Sequence, residues 1–323
     1  MIKKAFYCTS ILVLVLLIGA MFLGPSQVQA WERSYISIGT GGVGGVYYPM
    51  GGGISEIINE NIDIRCSVES TGASVENINL MKQGFTELSL VAANIAYNAH
   101  EGLGDFEDEP VEMVAGIASL YPEAVQLVVL EGSGIEHFTD LAGKRVSVGS
   151  PGSGVEVMAR ELFDLYGMSY DDVDHDYTGF AEASSAMADG VKDAAIVWAG
   201  APTAGIEELA ARRDVRLVEI EEEKLEELQE RLPYAARQDI PAGTYGIEED
   251  VTTVAIPALL AVITDMEDDL VYEITKHLFE NVERLGDIHV LGKEITLETA
   301  LDGMSLPLHA GAERFYREQG MID

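Results

Sequence analysis

From Tyr35 onward, short apolar segments alternate with segments in which apolar residues recur every three or four positions. The segment 36–39 predicts a strand, and the apolar positions after Pro49 predict a helix that this proline opens. A helix at 74–82 and a strand at 88–92 follow the same pattern. Such alternation is typical of α/β folds with mostly parallel sheets.

The later part of the chain predicts a second set of these elements. The segment 144–149 predicts a strand, the apolar stripe within 155–166 predicts a helix, and 194–198 predicts another buried strand. The glutamate-rich segment 219–230 is most simply the solvated face of a further helix.

Two apolar regions predict where the chain passes between two sheets. The first contains the stretches 113–117 and 125–130, and the second contains the runs 254–256 and 259–263. Because single cores seldom grow past about 250 to 300 residues, a chain of 323 residues predicts two lobes. The predicted limits are 31–122 with 245–323 for the first lobe, and 123–244 for the second.

The segment 1–30 is typical of a secretory signal peptide. Two lysines precede an apolar run at 11–23, and the small residues at 28–30 predict cleavage after Ala30. The alternative is a retained membrane anchor, but this run has 13 residues and a spanning helix needs about 20. We therefore expect an exported, periplasmic protein without a stable membrane anchor.

The net charge of the chain limits the kinds of molecule that it can bind. The chain has 20 Lys and Arg against 55 Asp and Glu, a formal net charge of −35. Removal of 1–30 takes away two lysines and no acidic residue, so the mature chain is more acidic still. Nucleic acid is excluded as a partner, and an anion site must obtain positive potential locally from backbone amides or a few basic side chains.

The densest chemical signal is the glycine-rich segment 39–49, which follows the first predicted strand. Its glycines let the backbone approach a ligand closely, and its amides attract anionic groups. Gly39, Gly41, Gly44 and Asp63 also satisfy a dinucleotide fingerprint. We rank that alternative well below small-molecule binding, because the helix of the fingerprint begins within the motif and here begins later.

A second loop of small residues, 149–154, also lies between a predicted strand and the start of a predicted helix. It offers the hydroxyls of Ser150 and Ser153 beside unsatisfied amides. A third loop, 70–74, is by itself a helix cap. Two glycine loops in separate lobes predict a cleft that clamps one ligand, and neither loop contains Arg or Lys.

Signals for catalysis or metal binding are weak. The chain has no G-x-S-x-G, H-E-x-x-H or C-x-x-C motif, and its six histidines are scattered. The acidic and histidine residues at 174–176 are more simply a solvated turn than metal ligands. We expect a protein that is not an enzyme and has no catalytic residue, metal or cofactor.

Several ordered segments resemble one family, the TAXI family of TRAP transporter solute receptors. These segments are 39–49, 70–77, 119–123, 148–154, 240–245, 250–254, 293–298 and 307–309. The resemblance implies a type II periplasmic binding protein fold, with two α/β lobes joined by a hinge and a ligand cleft between them. It also implies that the protein binds a small organic anion and delivers it to integral membrane TRAP transporter subunits driven by an ion gradient.

The resemblance further implies which residues contact the ligand. The dicarboxylates, oxoacids and acidic amino acids of the family would be bound by Thr40, Gly41, Gly42, Gly44, Tyr47, Thr71, Ser74, Asn94, Tyr121, Ser150, Ser153, Gly154 and Trp198. For Tyr47, Tyr121 and Trp198, aromatic packing at the lobe junction is an equal alternative.

This chain departs from the family after the third strand, where relatives often have a polar run and this chain has Ala92, Ala93 and Asn94. The loss of polar groups there points to a less polar or differently shaped acid. Two other functions stay open at this stage: an exported enzyme that holds a phosphate or nucleotide in the 39–45 loop, and a solute-binding partner of a membrane sensor.

Overall fold

The alternating strands and helices are realised over residues 34–232 and 234–323, the part of the chain that the computed structural model describes. The predicted signal peptide lies outside these residues. The strands are β1 (Tyr35–Gly39), β2 (Arg65–Glu69), β3 (Leu88–Ala92), β4 (Val114–Leu130), β5 (Arg145–Ser147), β6 (Asp174–Asp176), β7 (Ala194–Ala199), β8 (Val215–Val218), β9 (Ala236–Ile240) and β10 (Val251–Ile263). The α-helices are α1 (Tyr47–Asn61), α2 (Ser74–Lys82), α3 (Ala93–Glu101), α4 (Gly154–Leu165), α5 (Phe180–Ala188), α6 (Ala204–Ala210), α7 (Glu222–Arg231), α8 (Asp268–Glu280), α9 (Val282–Ile288) and α10 (Ala310–Glu318).

The predicted α/β class is confirmed, and most predicted elements are present. The helix and strand predicted at 74–82 and 88–92 are α2 and β3. The helix predicted to open at Pro49 instead begins at Tyr47, so that prediction was wrong by two residues. Pro49 is tolerated there because the first turn of a helix has N–H groups without intrahelical acceptors.

The strands form one hydrogen-bonded sheet in the order β2-β1-β3-β10-β4-β7-β5-β6, with β8 added to β4 and β9 added to β10. Strand β1 is parallel to β2 and β3, and β5 is parallel to β6 and β7. Strands β4 and β10 run antiparallel to each of their neighbours.

Two long strands connect the two ends of this sheet. The beginning of β4 pairs with the end of β10, from Val114 opposite Ile263, while the end of β4 pairs with β7 and β8. The apolar stretches 113–117 and 125–130, separate in the sequence, belong to the one strand β4 apart from residue 113, and the runs 254–256 and 259–263 both belong to β10. At the midpoint Pro122 lies opposite Pro257, next to a register shift in β10. Prolines donate no ladder hydrogen bond, so the pairing is weakest at this point.

We call the two ends of the sheet the first and second sheet halves. The first half contains β1, β2 and β3 with the beginning of β4 and the end of β10, and the second contains β5 to β9 with the rest of the two long strands. The second half has its own apolar cluster, which includes Val128, Met187, Val197, Ile206 and Leu217. Tyr245, Ile247 and Val251 also pack against or within this cluster.

The topology places both glycine loops at carboxyl ends of parallel strands. The 39–45 loop follows β1 and the 149–154 loop follows β5. In open α/β sheets such ends border the ligand crevice. Within 34–232 and 234–323, the structure has no helix with the length and apolar character required to cross a bilayer.

Candidate functional site

A cavity of about 330 Å³ lies between the two sheet halves. Its walls come from the 41–47 and 70–74 segments of the first half and from the 150–155, 179–182 and 198–199 segments of the second half, with Ala92 and Glu123 completing the lining. The predicted site residues that line it are Gly41, Gly42, Gly44, Tyr47, Thr71, Ser74, Ser150, Ser153, Gly154 and Trp198.

The other three predicted contacts, Thr40, Asn94 and Tyr121, are buried and are not part of this lining. The Thr40 hydroxyl donates to the carbonyl of Glu69 at 2.7 Å, so it joins the ends of β1 and β2. The Asn94 Oδ1 and the Tyr121 hydroxyl are buried, and neither has a hydrogen-bond partner among the described residues.

Hydroxyl groups of the 70–74 segment hold the first glycine loop in place. Ser70 Oγ donates to the carbonyl of Gly41 at 3.1 Å, and Thr71 Oγ1 lies 2.9 Å from the carbonyl oxygen of Thr40. The Asn77 amide donates to the same Thr40 carbonyl at 2.7 Å. These polar groups stabilise the loop, so its glycine backbone, more than the hydroxyls, faces the cavity.

The second glycine loop has a different construction. Gly149 has φ of +93°, and a Cβ there would lie 2.7 Å from Val155 Cβ, so this position requires glycine. Ser153 is the N-cap of α4, and its hydroxyl accepts from the Glu156 amide at 3.1 Å. The Ser150 side chain lines the cavity and has no hydrogen-bond partner among the described residues, so its hydroxyl is available to a ligand.

The two sheet halves contact each other around the cavity. The amide of Glu76 donates to the carbonyl of Gly152 at 3.0 Å, and the amide of Gly205 donates to the carbonyl of Gly44 at 3.0 Å. A Cβ on Gly44 would lie 3.0 Å from the Ala181 amide nitrogen. The cleft is therefore closed in this structure, and the absence of a side chain at Gly44 favours the close approach between the halves.

A cluster of polar side chains forms the floor of the cleft. Glu123 lies directly after Pro122 in β4 and is 4% exposed. The Tyr47 hydroxyl donates to Glu123 Oε2 at 2.7 Å, and the Trp198 indole donates to the Glu123 backbone carbonyl at 3.0 Å. The floor thus joins α1 of the first half to β4 and β7.

Burial dominates the electrostatics of this floor. It raises the pKa of Glu123 to about 8, although the hydrogen bond from Tyr47 acts in the opposite direction. Burial also raises the pKa of Tyr47 and of Tyr121 well above the usual value, and the nearby Glu123 carboxylate raises both further. Both tyrosines therefore stay neutral wherever Glu123 titrates.

The charged side chains of the lining are Glu123 and Glu182, and the lining contains no Lys, Arg or His. The backbone amides of the two glycine loops are consequently its source of positive potential for an anionic group.

The residues predicted to contact the ligand do not include Glu123 or the 179–182 segment, although Glu123 ends the 119–123 segment that carries the family resemblance. The signal for Glu123 was a single acidic residue between two strongly apolar stretches of one strand, where burial of a carboxylate requires an explanation. The 179–182 segment carries no motif, and it enters the lining because α5 begins opposite the 39–45 loop.

Other sequence hypotheses fall outside the cavity. Gly39 and Asp63 of the dinucleotide fingerprint are not in the lining. The 174–176 segment forms β6, and the His175 ring stacks on Tyr170 with centroids 4.6 Å apart. Within the described residues no group of three or more Asp, Glu, His or Cys side chains is placed to hold a metal ion.

Comparison with known families gives a match over residues 38–320 to the NMT1-like family. This match covers most of the chain and contains every segment that lines the cavity. It does not distinguish the TAXI family within that group, so the finer assignment stays a prediction.

Solved structures share the fold at low sequence identity. A protein from Listeria monocytogenes described as a candidate L-cystine ABC transporter is 13% identical, with a TM-score of 0.50 over 82% of this chain and 99% of that one. An ancestral arginine-binding protein bound to arginine is 14% identical, with a TM-score of 0.50 over 81% and 98%. The periplasmic aliphatic sulphonate binding protein SsuA from Escherichia coli is 13% identical, with a TM-score of 0.46 over 90% and 94%.

The two structures with a TM-score of 0.50 agree with the two sheet halves joined by long strands. The predicted type II periplasmic binding protein fold, an α/β fold with two lobes, is confirmed.

Proposed function

The chain belongs to the NMT1-like family, and from this premise we propose that it is the periplasmic solute receptor of a tripartite ATP-independent (TRAP) transporter of the TAXI type. It binds a small carboxylate-bearing solute between its lobes and presents it to integral membrane subunits. The observation that carries this proposal is the closed cavity of about 330 Å³, lined by two glycine loops that each follow a parallel strand. That volume lies at the lower end of ordinary ligand pockets.

We propose a role for each part of the cleft. The solute carboxylate binds to amides of the glycine loops and to the Ser150 hydroxyl, while Val155, Phe180 and Trp198 cover its apolar part, a proposal supported by their place in the cavity lining. The receptor binds and releases its solute by hinge motion at the two strand crossings. We place these crossings near Pro122 and Pro257, where the ladder between the long strands is weakest.

Ligand binding is tested with residues 31–323, unfolded and refolded to remove retained solute. Thermal unfolding is measured against a panel of dicarboxylates, oxoacids, amino acids and nucleotides. A solute that binds only the folded state stabilises it by about 2.7 kcal/mol at a hundredfold excess over its dissociation constant. We expect a saturable shift with an organic acid, which is recovered chemically unchanged. Stabilisation by nucleotides alone, or turnover of the solute, would indicate an enzyme instead.

Closure of the cleft is tested with the matched variants Gly44→Ala and Gly42→Ala. A Cβ at Gly44 would lie 3.0 Å from the Ala181 amide across the cleft, whereas a Cβ at Gly42 meets no atom within 4 Å. We expect Gly44→Ala to weaken solute binding by about tenfold, because closure loses roughly 1.4 kcal/mol. Gly42→Ala should change the affinity by less than about threefold. Equal effects of the two variants would contradict binding by closure between the lobes.

Delivery is tested by reconstituting the receptor in proteoliposomes with TRAP transporter membrane subunits from the same organism. We expect uptake of the bound solute to depend on the receptor and on an ion gradient, and to be unaffected by ATP. ATP-driven uptake would retain the receptor function and remove the TRAP assignment.

A further inference from the structure

Glu123 is a buried carboxyl group whose second oxygen has no protein partner. Its Oε2 accepts from Tyr47 at 2.7 Å, whereas its Oε1 has no hydrogen-bond partner among the described residues. Glu123 makes no ion pair with any described residue, and it belongs to a cavity lining that has no Lys, Arg or His. A buried carboxyl group that presents a free oxygen to a ligand cavity is placed to bind part of the ligand.

The surroundings favour a charged partner over water. The Trp198 indole donates to the Glu123 backbone carbonyl at 3.0 Å and fixes the main chain there, while the Tyr47 hydroxyl holds the carboxyl group through Oε2 at 2.7 Å. Ala92, Val155 and Ala199 form the adjoining lining, and this apolar environment strengthens any ion pair made inside the closed cleft.

We propose that the solute carries a protonated amine that pairs with the Glu123 carboxylate, in addition to the carboxylate that binds the glycine loops. This inference rests on the proposed receptor function and narrows its substrate class. Among carboxylate-bearing solutes it selects zwitterions, and it rejects dicarboxylates and oxoacids that have no cationic group. A dicarboxylate would place a second negative group against Glu123, and an oxoacid would leave the Glu123 carboxylate without a cationic partner, since the lining has no basic side chain.

The competing arrangement keeps Glu123 protonated, as a neutral donor to a carboxylate of an anionic solute. The two arrangements have opposite pH dependences. An amine requires that Glu123 lose its proton, so its binding strengthens as the pH rises from 6 toward 8.5, whereas a carboxylate partner requires the proton and binds more tightly as the pH falls. The titratable groups that face Glu123 are Tyr47 on α1 and Tyr121 on β4 itself, and both stay neutral over this range. Trp198 on β7 does not titrate.

The test uses sets of compounds that share one carbon skeleton, each consisting of an amino acid, its 2-oxo acid and the acid without the amine. One set is L-glutamate, 2-oxoglutarate and glutarate, and another is L-leucine, 4-methyl-2-oxopentanoate and 4-methylpentanoate. Dissociation constants are measured by calorimetry at pH 6.5 and 8.5 with the refolded protein, the variant Glu123→Gln and the control Glu112→Gln. Glu112 is exposed and is not part of the cavity lining, so the control removes the same charge away from the cleft.

We expect the amine-bearing member of one set to bind, with higher affinity at pH 8.5. Glu123→Gln should weaken it by about thirtyfold or more, because an uncompensated ammonium remains in the closed cleft, while Glu112→Gln should change the affinity by less than about threefold. Tighter binding of the 2-oxo or amine-free member, with affinity that rises at pH 6.5, would overturn the inference and leave the receptor function standing. If no compound of the panel binds, both fail. The pH dependence of the unsubstituted protein keeps the test valid should Glu123→Gln fold poorly.

Discussion

Glu87 and Glu123 are both almost fully buried carboxyl groups, 5% and 4% exposed, but the fold uses them differently. The Glu87 carboxylate accepts from the Ser37 amide at 2.8 Å and lies 3.3 Å from the Ser37 hydroxyl oxygen, next to the point where β1, β3 and β10 meet. Glu123 accepts one side-chain hydrogen bond, from Tyr47, and otherwise faces a cavity.

The difference shows that a carboxyl group can be buried for two reasons: to satisfy donors within the folded chain, or to face a cavity. The Glu87 carboxylate satisfies a backbone donor that would otherwise be unpaired, so its partners belong to the folded chain. The free oxygen of Glu123 has no such task, so its burial costs free energy that a bound partner can recover. Burial alone is therefore no argument for a ligand contact, and our proposal for Glu123 depends on its burial beside a cavity without a complete set of partners.

The largest expected difference between the two residues is in how the free energy of unfolding depends on pH. The folded-state pKa of Glu123 is about 8, above its usual value of 4.5, so the ligand-free folded protein retains a proton that the unfolded chain releases. The associated stability is complete below about pH 4.5 and is lost as the pH rises through 8. Over this interval the free energy of unfolding should fall by up to about 1.4 kcal/mol per pH unit relative to Glu123→Gln. Urea unfolding at a series of pH values checks this, and parallel curves for the two proteins would contradict it.

A second experiment makes the same substitution at both positions. Glu87→Ala should lower the free energy of unfolding by about 2 to 4 kcal/mol, because the buried Ser37 amide loses its acceptor. Glu123→Ala should cost about 1 kcal/mol or less, since water in the cleft can replace its side chain and a desolvated carboxyl group is removed. Urea unfolding at pH 8.5 measures both values, and a larger loss for Glu123→Ala would reverse the comparison.

The smallest effect concerns the one side-chain partner of Glu123. Tyr47→Phe removes the hydroxyl that donates to Oε2, so it should lower the free energy of unfolding by about 1 kcal/mol at pH 9. It should also raise the pKa of Glu123, because this hydrogen bond favours the carboxylate. The control is Tyr121→Phe, whose hydroxyl has no partner among the described residues and whose loss should change stability by less than about 0.5 kcal/mol.

The alternation of apolar strands and amphipathic helices was sufficient to predict the α/β class and several elements with their limits, including α2 and β3. It did not predict the continuity of β4 and β10. Ser119, Pro122 and Glu123 interrupt the apolar pattern of β4, although backbone pairing continues around them with β10. The strand β4 is continuous because it pairs with segments that are distant in the sequence. The periodicity within one segment carries no information about such pairing.

Some features of the candidate site could likewise be predicted from the sequence, and others could not. The two glycine loops were identifiable because a strand, small residues and a helix start are adjacent in the chain, and both loops line the cavity. Thr40 belongs to the first loop but points away from the cavity, because it caps the end of β2 through the Glu69 carbonyl. The direction of a side chain within a loop depends on neighbours that are distant in sequence.

By itself, the sequence determined the kinds of elements, the two glycine loops and the strong negative charge, because these depend on local composition and spacing. Only the tertiary structure decided that Glu123 of β4, Tyr47 of α1 and Trp198 of β7 meet in the floor of one cleft. Glu123 is separated from Tyr47 by 76 residues and from Trp198 by 75, and these contacts arise from the packing of α1 against the sheet and from the pairing of β4 with β7. The charge that a ligand meets in this cleft is therefore a property of the assembled fold.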